Sequence, residues 1–488
     1  MPSLEEARRR YAVHYFHVLN RLSASYAEGR EVFSAVAEFD REWRQIKEGH
    51  AWAEQRWRDD RVAAALCNGY AGVGMELLDL RENVVEIARW LRTGLEAARL
   101  LGHRGGEGVH LTHLGIAHLH LCQYREAIEL FGASLAISEE LENQSSVLTD
   151  YGNLGTAHLN LGDYGEAVSY YEQAIRLSRE LNDERSEGVW SGNLGNALSD
   201  QGQYRRAIEH YERAVTLSRR HGNKLAEGHH LGNMGNAYLQ LDEYRNAVEC
   251  HQQALEIGRE LGDLRSQSQT LGNLGNDYSE LEDYEEAAKC YRDALSLSRK
   301  IQDRNNEAKQ LGNLGNLSLR RDDIGQAVSF YEQAVAITRE IGYRYGEANH
   351  LGNMGTARRR AGQPELALPC YEQALAIVRE LGDRRNECLW LGNMGNALTD
   401  LGRHEEAVRL YDQALALSRE LGLERLEYTQ LTNLGAAYSE LGQDELMRDC
   451  RARANAIAGR TGQPQSKEQN VDSAHSRSGQ ATPPAREG

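Results

Sequence analysis

The sequence predicts an all-α fold, a solenoid of stacked helix pairs. Three observations carry that reading. Leu114, Leu154, Leu194, Met234, Leu274, Leu314, Met354, Met394 and Leu434 stand forty residues apart, each followed by a glycine, with no insertion in the series. A fixed period of this size marks a repeat architecture. Each period also holds two stretches with apolar residues at helical spacing, as at Leu231, Met234 and Tyr238 and then at Ala247, Ala254 and Leu255. Neither stretch can bury its apolar stripe alone, so neighbouring pairs must stack.

Taken in order, residues 1–105 read as a helical N-terminal cap. One long helix is expected over 3–28, with Tyr11, Tyr15, Phe16, Leu19 and Leu22 on one face, and another over 32–57. From 60 to 102 a degenerate repeat keeps the register, since Leu91 lies forty residues before Phe131 and Leu95 forty before Leu135. Its Leu-Gly pair is gone, which suits an end that must not template another repeat. Residues 106–459 read as nine repeats. In the fourth, the first helix is expected over 228–241, the turn at Asp242 and Glu243, and the second helix over 244–261, closed by Gly262. In the ninth, Met447 and Arg451 stand where other copies carry Ala and Tyr, as a polar cap would require. Residues 460–488 are polar and hold three of the six prolines, the composition of a disordered tail.

Met234-Gly235, Tyr238, Ala247 and Ala254 resemble the tetratricopeptide repeat (TPR), whose Leu-Gly, Tyr and two Ala positions they fit. Between the alanines other copies carry Tyr171, Tyr211, Tyr291, Tyr331, Tyr371 and Tyr411. The departures are a unit of forty residues rather than 34, and no closing Pro. The forty-residue unit and its LGN signature are similar to the Pins/LGN adaptors and to many bacterial repeat proteins. The resemblance covers residues 108–458 and implies a right-handed superhelix with a concave, ligand-binding groove. The tail lacks the G-protein-binding motifs that accompany the Pins/LGN repeats. A second resemblance, of Phe39 to Ala53, is to the helical segment joining nucleotide-binding module and repeats in bacterial STAND-type NTPases. No GxxxxGK[ST] occurs, so the chain resembles the sensor half of such a switch without its motor.

Composition narrows the partners. The net charge of −17 argues against nonspecific nucleic-acid binding. No run of about 18 apolar residues offers a membrane span, and MPSLEEARRR lacks the apolar core of an export signal. Seven scattered cysteines, three of them (Cys250, Cys290 and Cys370) at one repeat position, read as packing residues in a reduced, cytoplasmic setting. The preference for Arg over Lys hints at a GC-rich bacterial genome.

No enzyme motif emerges: no HExxH, no CxxC pair, no GxSxG. His110, His113, His118 and His120 have no acidic or thiol partner fixed beside them, so no metal or cofactor is expected. The asparagines stand apart. Asn153, Asn193, Asn233, Asn273, Asn313, Asn353, Asn393 and Asn433 hold one position of the first helix, and Asn196, Asn236, Asn276, Asn316 and Asn396 the position three later. Asn is a poor helix former, so its repeated use needs a reason. Positions three apart share a face, and amides suit the backbone of an extended peptide. Similar ladders hold peptides in Pins/LGN and kinesin light chain. The other reading is that these amides bond neighbouring helices and fix the stacking. Gly152, Gly192, Gly232, Gly272, Gly312, Gly352 and Gly392 beside them either admit a ligand or permit tight packing.

A further groove column reads His120, Asn160, Asp200, Gln240, Glu280, Arg320, Arg360, Asp400, Glu440. Arg320-Arg321 and Arg358-Arg359-Arg360 gather five guanidiniums there, and Arg320, Arg359 and Arg360 are the candidate anchor for an acidic residue or C-terminus of the ligand. The alternative pairs them with Asp322, Asp323 or nearby glutamates. Pro364 fits the start of a second helix, and Pro369, a turn further in, should weaken it. The function expected is a non-catalytic scaffold binding a peptide or protein segment in the groove. The alternative is a sensor or regulatory subunit of a STAND-type switch.

Overall fold

A computed structural model describes residues 3–27, 32–73 and 75–461, and every regular element among them is α-helical. The tail expected beyond 460 lies, from 462 on, outside the described residues. The chain forms two compact units, one ending at Asn223 and the other beginning at Lys224.

In the first unit, α1 (Leu4–Ala27), α2 (Val32–Glu54), α3 (Arg61–Val73), the single turn α4 (Met75–Leu78) and α5 (Val84–Leu101) precede the regular repeats. α1 packs on α2, and α3 on α5. Leu19, Leu22, Phe39, Ile46 and Tyr70 are fully buried at their centre. Each such side chain contributes about 1.5–3 kcal/mol by leaving water. The Tyr70 hydroxyl donates to the Ala12 carbonyl at 2.7 Å. His50 stacks on Trp90 with ring centroids 3.7 Å apart. Burial disfavours its charged form and pulls its pKa down to about 3.

The repeats then run in register. The first helix of repeat 1 is Arg104–His120 and the second Tyr124–Glu140; the pattern recurs every forty residues to Glu424–Glu440 and Asp444–Thr461 in repeat 9. Repeats 1–3 belong to the first unit and repeats 4–9 to the second. The first helix of repeat 4 is Lys224–Gln240, four residues earlier than its apolar pattern suggested. Gly228 is no helix start: it lies inside, where a Cβ would stand 3.2 Å from Ile257. Several first-helix starts are fixed instead by capping. Asp183, Asp303 and Asp383 each accept from the backbone N–H three residues on, at 3.0–3.1 Å. The second helix of repeat 7, Pro364–Glu380, is continuous through Pro369.

Turns between helices need a left-handed residue. Gly162, Gly202, Gly362, Gly402 and Gly442 supply it, while Cys122, Asp242, Glu282 and Asp322 adopt it without being glycine, at φ of 57° to 62°. Charge clamps tie repeats together. In repeat 6, buried Glu307 accepts from Arg299 at 2.8 Å and Arg304 at 2.5 Å, and Arg304 also reaches Glu340 at 2.5 Å. The same arrangement links Arg339, Arg344, Glu347 and Glu380 in repeat 7.

Within each unit, first helices of successive repeats touch one another more than second helices do. Each unit, taken by itself, therefore curves with its first helices on the inner side. Among the described residues no helix is long and apolar enough to cross a membrane.

Candidate functional site

The inner face of the second unit is built from the first helices of repeats 4–9, and its asparagines have defined duties. In repeats 4–8 the glycine of the Leu-Gly pair makes room for a ring from the second helix: at Gly315 a Cβ would lie 2.6 Å from Tyr331. That ring is fully buried, so its hydroxyl needs a partner. The partner is the residue fifteen positions earlier. Tyr291 donates to Asn276 at 2.7 Å, Tyr331 to Asn316 at 2.6 Å, and Tyr411 to Asn396 at 2.7 Å. In the first unit Tyr211 donates to Asn196 at 2.8 Å. Thr156 and Thr356 serve Tyr171 and Tyr371 in the same way, at 3.0 and 3.1 Å. In repeat 1 the ring is Phe131, without a hydroxyl, and the facing position is Ile116. The sequence carries this pairing, but only when columns from different helices are compared.

The first asparagine column bonds backwards. Asn273, Asn353 and Asn433 donate their amide N–H to Oδ1 of Asn236, Asn316 and Asn396 in the preceding repeat, at 3.2, 3.4 and 3.0 Å. Asn313 donates to Gln310 at 3.4 Å. Asn193, Asn233 and Asn393 are half-buried at the same position. Asn153, in the first unit, has a buried amide nitrogen without a hydrogen-bond partner among the described residues. So the ladder is an internal network, yet an oriented one. The carbonyl oxygens of Asn276, Asn316 and Asn396 are drawn inward, which turns their NH2 groups outward.

Except at Gly232, where the space is open, the glycines described beside the first column accept a side chain from the next repeat. A Cβ at Gly272 would meet Gln310 at 2.6 Å, at Gly312 His350 at 2.5 Å, and at Gly392 Gln430 at 2.6 Å. Trp190 fills the space over Gly152, and Trp390 that over Gly352. Burial lowers the pKa of His350 to about 4.

The basic run is engaged throughout. Arg320 donates to the Ser279 carbonyl at 2.8 Å and to Glu280 at 2.5 Å. Arg360 donates to the Leu319 carbonyl at 3.1 Å and to Asp322 at 3.0 Å. Arg359 pairs with Asp400 at 3.1 Å, Arg321 with Glu285 at 2.9 Å, and Arg358 with Glu332 at 3.1 Å. Arg320 and Arg360 thus cap the carbonyl end of the preceding first helix, where acceptors lack intrahelical donors and the dipole favours a cation.

Two buried carboxylates depart from the repeat pattern. In the first unit Asp150 accepts from Thr112 and Ser134 at 3.1 Å and from Ser138 at 2.8 Å. Burial raises its pKa against these hydroxyls. In the second, His251 stands where most other repeats carry Tyr, and Asp277 where most carry Ala. Their side chains are fully buried and 2.5 Å apart, and His251 Nε2 lies 3.2 Å from the Gly232 carbonyl. Burial raises the pKa of Asp277, with His251 opposing. Cys250, Cys290 and Cys370 are buried.

An inner-face residue that the sequence reading passed over is Lys309, in the first helix of repeat 6. It is exposed and makes no ion pair or hydrogen bond through its ammonium among the described residues.

A solenoid of helix pairs with a tyrosine keyed into most of its Leu-Gly steps is the architecture of the tetratricopeptide repeat. The family model for that repeat matches residues 107–180, 144–220, 225–300, 307–380 and 385–446, and the chain belongs to the family. Among solved structures it is similar to a signal transduction ATPase with numerous domains (STAND) carrying a tetratricopeptide repeat sensor, from Pyrococcus horikoshii. That match has 13% identity and a TM-score of 0.52, over 77% of this chain and 65% of that one. It is also similar to the apo quorum sensor NprR from B. thuringiensis, at 15% identity and a TM-score of 0.47, covering 74% and 99% of the two chains. A Rap protein complexed with competence and sporulation factor gives 15%, 0.48, 72% and 98%. No curated protein matches in sequence.

Proposed function

We propose that this chain is a non-catalytic, cytoplasmic scaffold whose second unit binds an extended peptide or protein segment along its inner face. The observation that carries the reading is the orientation of the ladder. Tyrosine hydroxyls engage the carbonyls of Asn276, Asn316 and Asn396, and amides of the next repeat those of Asn316 and Asn396, so a row of NH2 donors faces outward. Asn273, Asn353 and Asn433 spend one N–H on the preceding repeat and keep their carbonyls for a ligand. Alternating donors and acceptors match a peptide backbone, which offers one of each per residue. Asn233, Asn236, Asn313 and Asn393 extend the same two columns within the second unit, and Asn153, Asn193 and Asn196 hold the equivalent positions of the first unit. Arg320, Arg359 and Arg360 contribute by holding the repeats that carry the ladder.

The test replaces Asn276, Asn316 and Asn396 by Thr in the full chain. Thr keeps a bond to the tyrosine hydroxyl, as Thr356 does, but removes the amide. Peptides selected on the wild-type chain should lose at least tenfold in affinity while the melting temperature holds. Unchanged affinity would refute the ladder as the contact. A second reading, the sensor part of a STAND-type switch, rests on the resemblance of Phe39 to Ala53. It predicts that a nucleotide-hydrolysing partner co-purifies with the full chain.

A further inference from the structure

Charge on the inner face of the second unit is distributed unevenly. Its carboxylates in repeats 5 and 8, Glu280 and Asp400, are held by Arg320 and Arg359 of a neighbouring repeat. Three cations stand exposed without an ion pair among the described residues: Lys309 in repeat 6, and Arg385 and Arg425 at one shared position of repeats 8 and 9. An otherwise acidic protein therefore offers unspent positive charge on this face.

Lys309 has singular surroundings. The same position holds Gln269 in the preceding repeat and Asn349 in the next, while Asn305 and Asn313 lie one helical turn to either side. All four are neutral amides. The ammonium is open to water, yet it stands inside the hollow, where surrounding protein displaces bulk solvent. That desolvation lowers its pKa, and no neighbouring charge contributes to the shift. A partly desolvated charge with no counter-ion gains more from an arriving anion than a charge already paired. One positive charge among amide donors matches a monoanion. A carboxylate fits this, whereas a phosphoryl group brings a charge near −2.

Resting on the peptide reading above, we infer that Lys309 is the specificity-determining residue of the face and selects an acidic peptide by binding one of its carboxylates. Arg385 and Arg425 favour further acidic residues along the same ligand. Repeats stack roughly 10 Å apart and an extended chain rises about 3.3 Å per residue, so about three ligand residues pass each repeat. Lys309 and the position of Arg385 are two repeats apart, so the anchored carboxylate and the next acidic residue should be separated by about six residues.

The test is selection of random peptide libraries, with free and with amidated C termini, on the full wild-type chain, on Lys309→Gln and on Lys309→Arg. Wild-type and Lys309→Arg selections should be enriched in Glu and Asp, or in free C termini, and comparing the two libraries tells side-chain from terminal carboxylate. Lys309→Gln should abolish the enrichment and weaken a selected peptide at least tenfold, with an unchanged melting curve because the side chain is exposed. Peptides that are selected without acidic enrichment, or equally by Lys309→Gln, overturn the role of Lys309 and leave the peptide reading standing. Failure to select any peptide overturns both.

Discussion

The Tyr331 hydroxyl donates to Asn316 Oδ1 at 2.6 Å, joining a fully buried ring to an exposed amide. The bond is asymmetric in what its loss costs. Asn316→Ala strands a buried hydroxyl, at about 1–3 kcal/mol. Tyr331→Phe leaves the Asn316 oxygen with its bond from Asn353 and should cost less. Adding Tyr331→Phe to Asn316→Ala should recover part of the loss, measured by chemical denaturation as a double-mutant cycle. Additive effects would show that the bond does not couple the two helices.

The His251–Asp277 pair replaces the Tyr and Ala of other repeats. Either partner alone would be left as an uncompensated buried group. His251→Tyr and Asp277→Ala should each destabilise by about 3 kcal/mol or more. The double variant restores the pattern of the neighbouring repeats and should match or exceed the wild type. Hydrogen exchange of repeats 4 and 5 checks this more cleanly than a global melt, since a two-unit repeat chain need not unfold in one step.

Asp150 gives a pH signature with a definite sign. Its native pKa is raised by burial, so the native state binds its proton more tightly than the unfolded chain. Its contribution to stability is fully present below the ordinary aspartate value, about 3.9, and is lost as pH rises through the raised native value. Asp150→Asn removes this dependence. Protection of repeats 1 and 2 in the wild type should fall, relative to the variant, as pH rises across that window. A constant difference from pH 4 to 7 would contradict the raised pKa.

Glu282 occupies a left-handed turn position at φ 62°, where most equivalent turns carry glycine. Glu282→Gly should stabilise the second unit by about 0.5–1 kcal/mol, because a Cβ there is strained. Gly262→Ala, at φ 67°, should destabilise by about 1 kcal/mol or more. Thermal shifts of the two variants should have opposite signs.

The fold was legible because the period is forty and the Leu-Gly step never slips. Helix starts were less so: Gly228 looked like a boundary by propensity, and only packing against Ile257 explains it inside. The arginines stood out as a cluster, but the ion pairs of Arg320, Arg321, Arg359 and Arg360 join residues 36 to 41 apart, a spacing that needs the stacking distance before it can be read. The side chain filling Gly312 comes from His350, 38 residues on, and is equally invisible to local pattern. Lys309 was overlooked because one lysine among amides makes no cluster. Its interest arises only once every nearby charge is seen to be spent.

Nine near-copies in one polypeptide create a risk that unlike sequences avoid: a repeat emerging from the ribosome can dock on the wrong sibling. Contacts here are overwhelmingly between neighbours, so a pairing displaced by one unit would satisfy most apolar surface equally well. It would not satisfy Asp277, which would face a tyrosine ring instead of an imidazole, nor Asp150, which would lose the hydroxyls of Thr112 and Ser134 to Gly152 and Ala174 and keep only that of Ser178 in place of Ser138. Each buried carboxylate thus works as an address, written once in its unit and legible only to the adjoining copy. The chain gives up some stability at two joints and in return its otherwise interchangeable modules assemble in a single order.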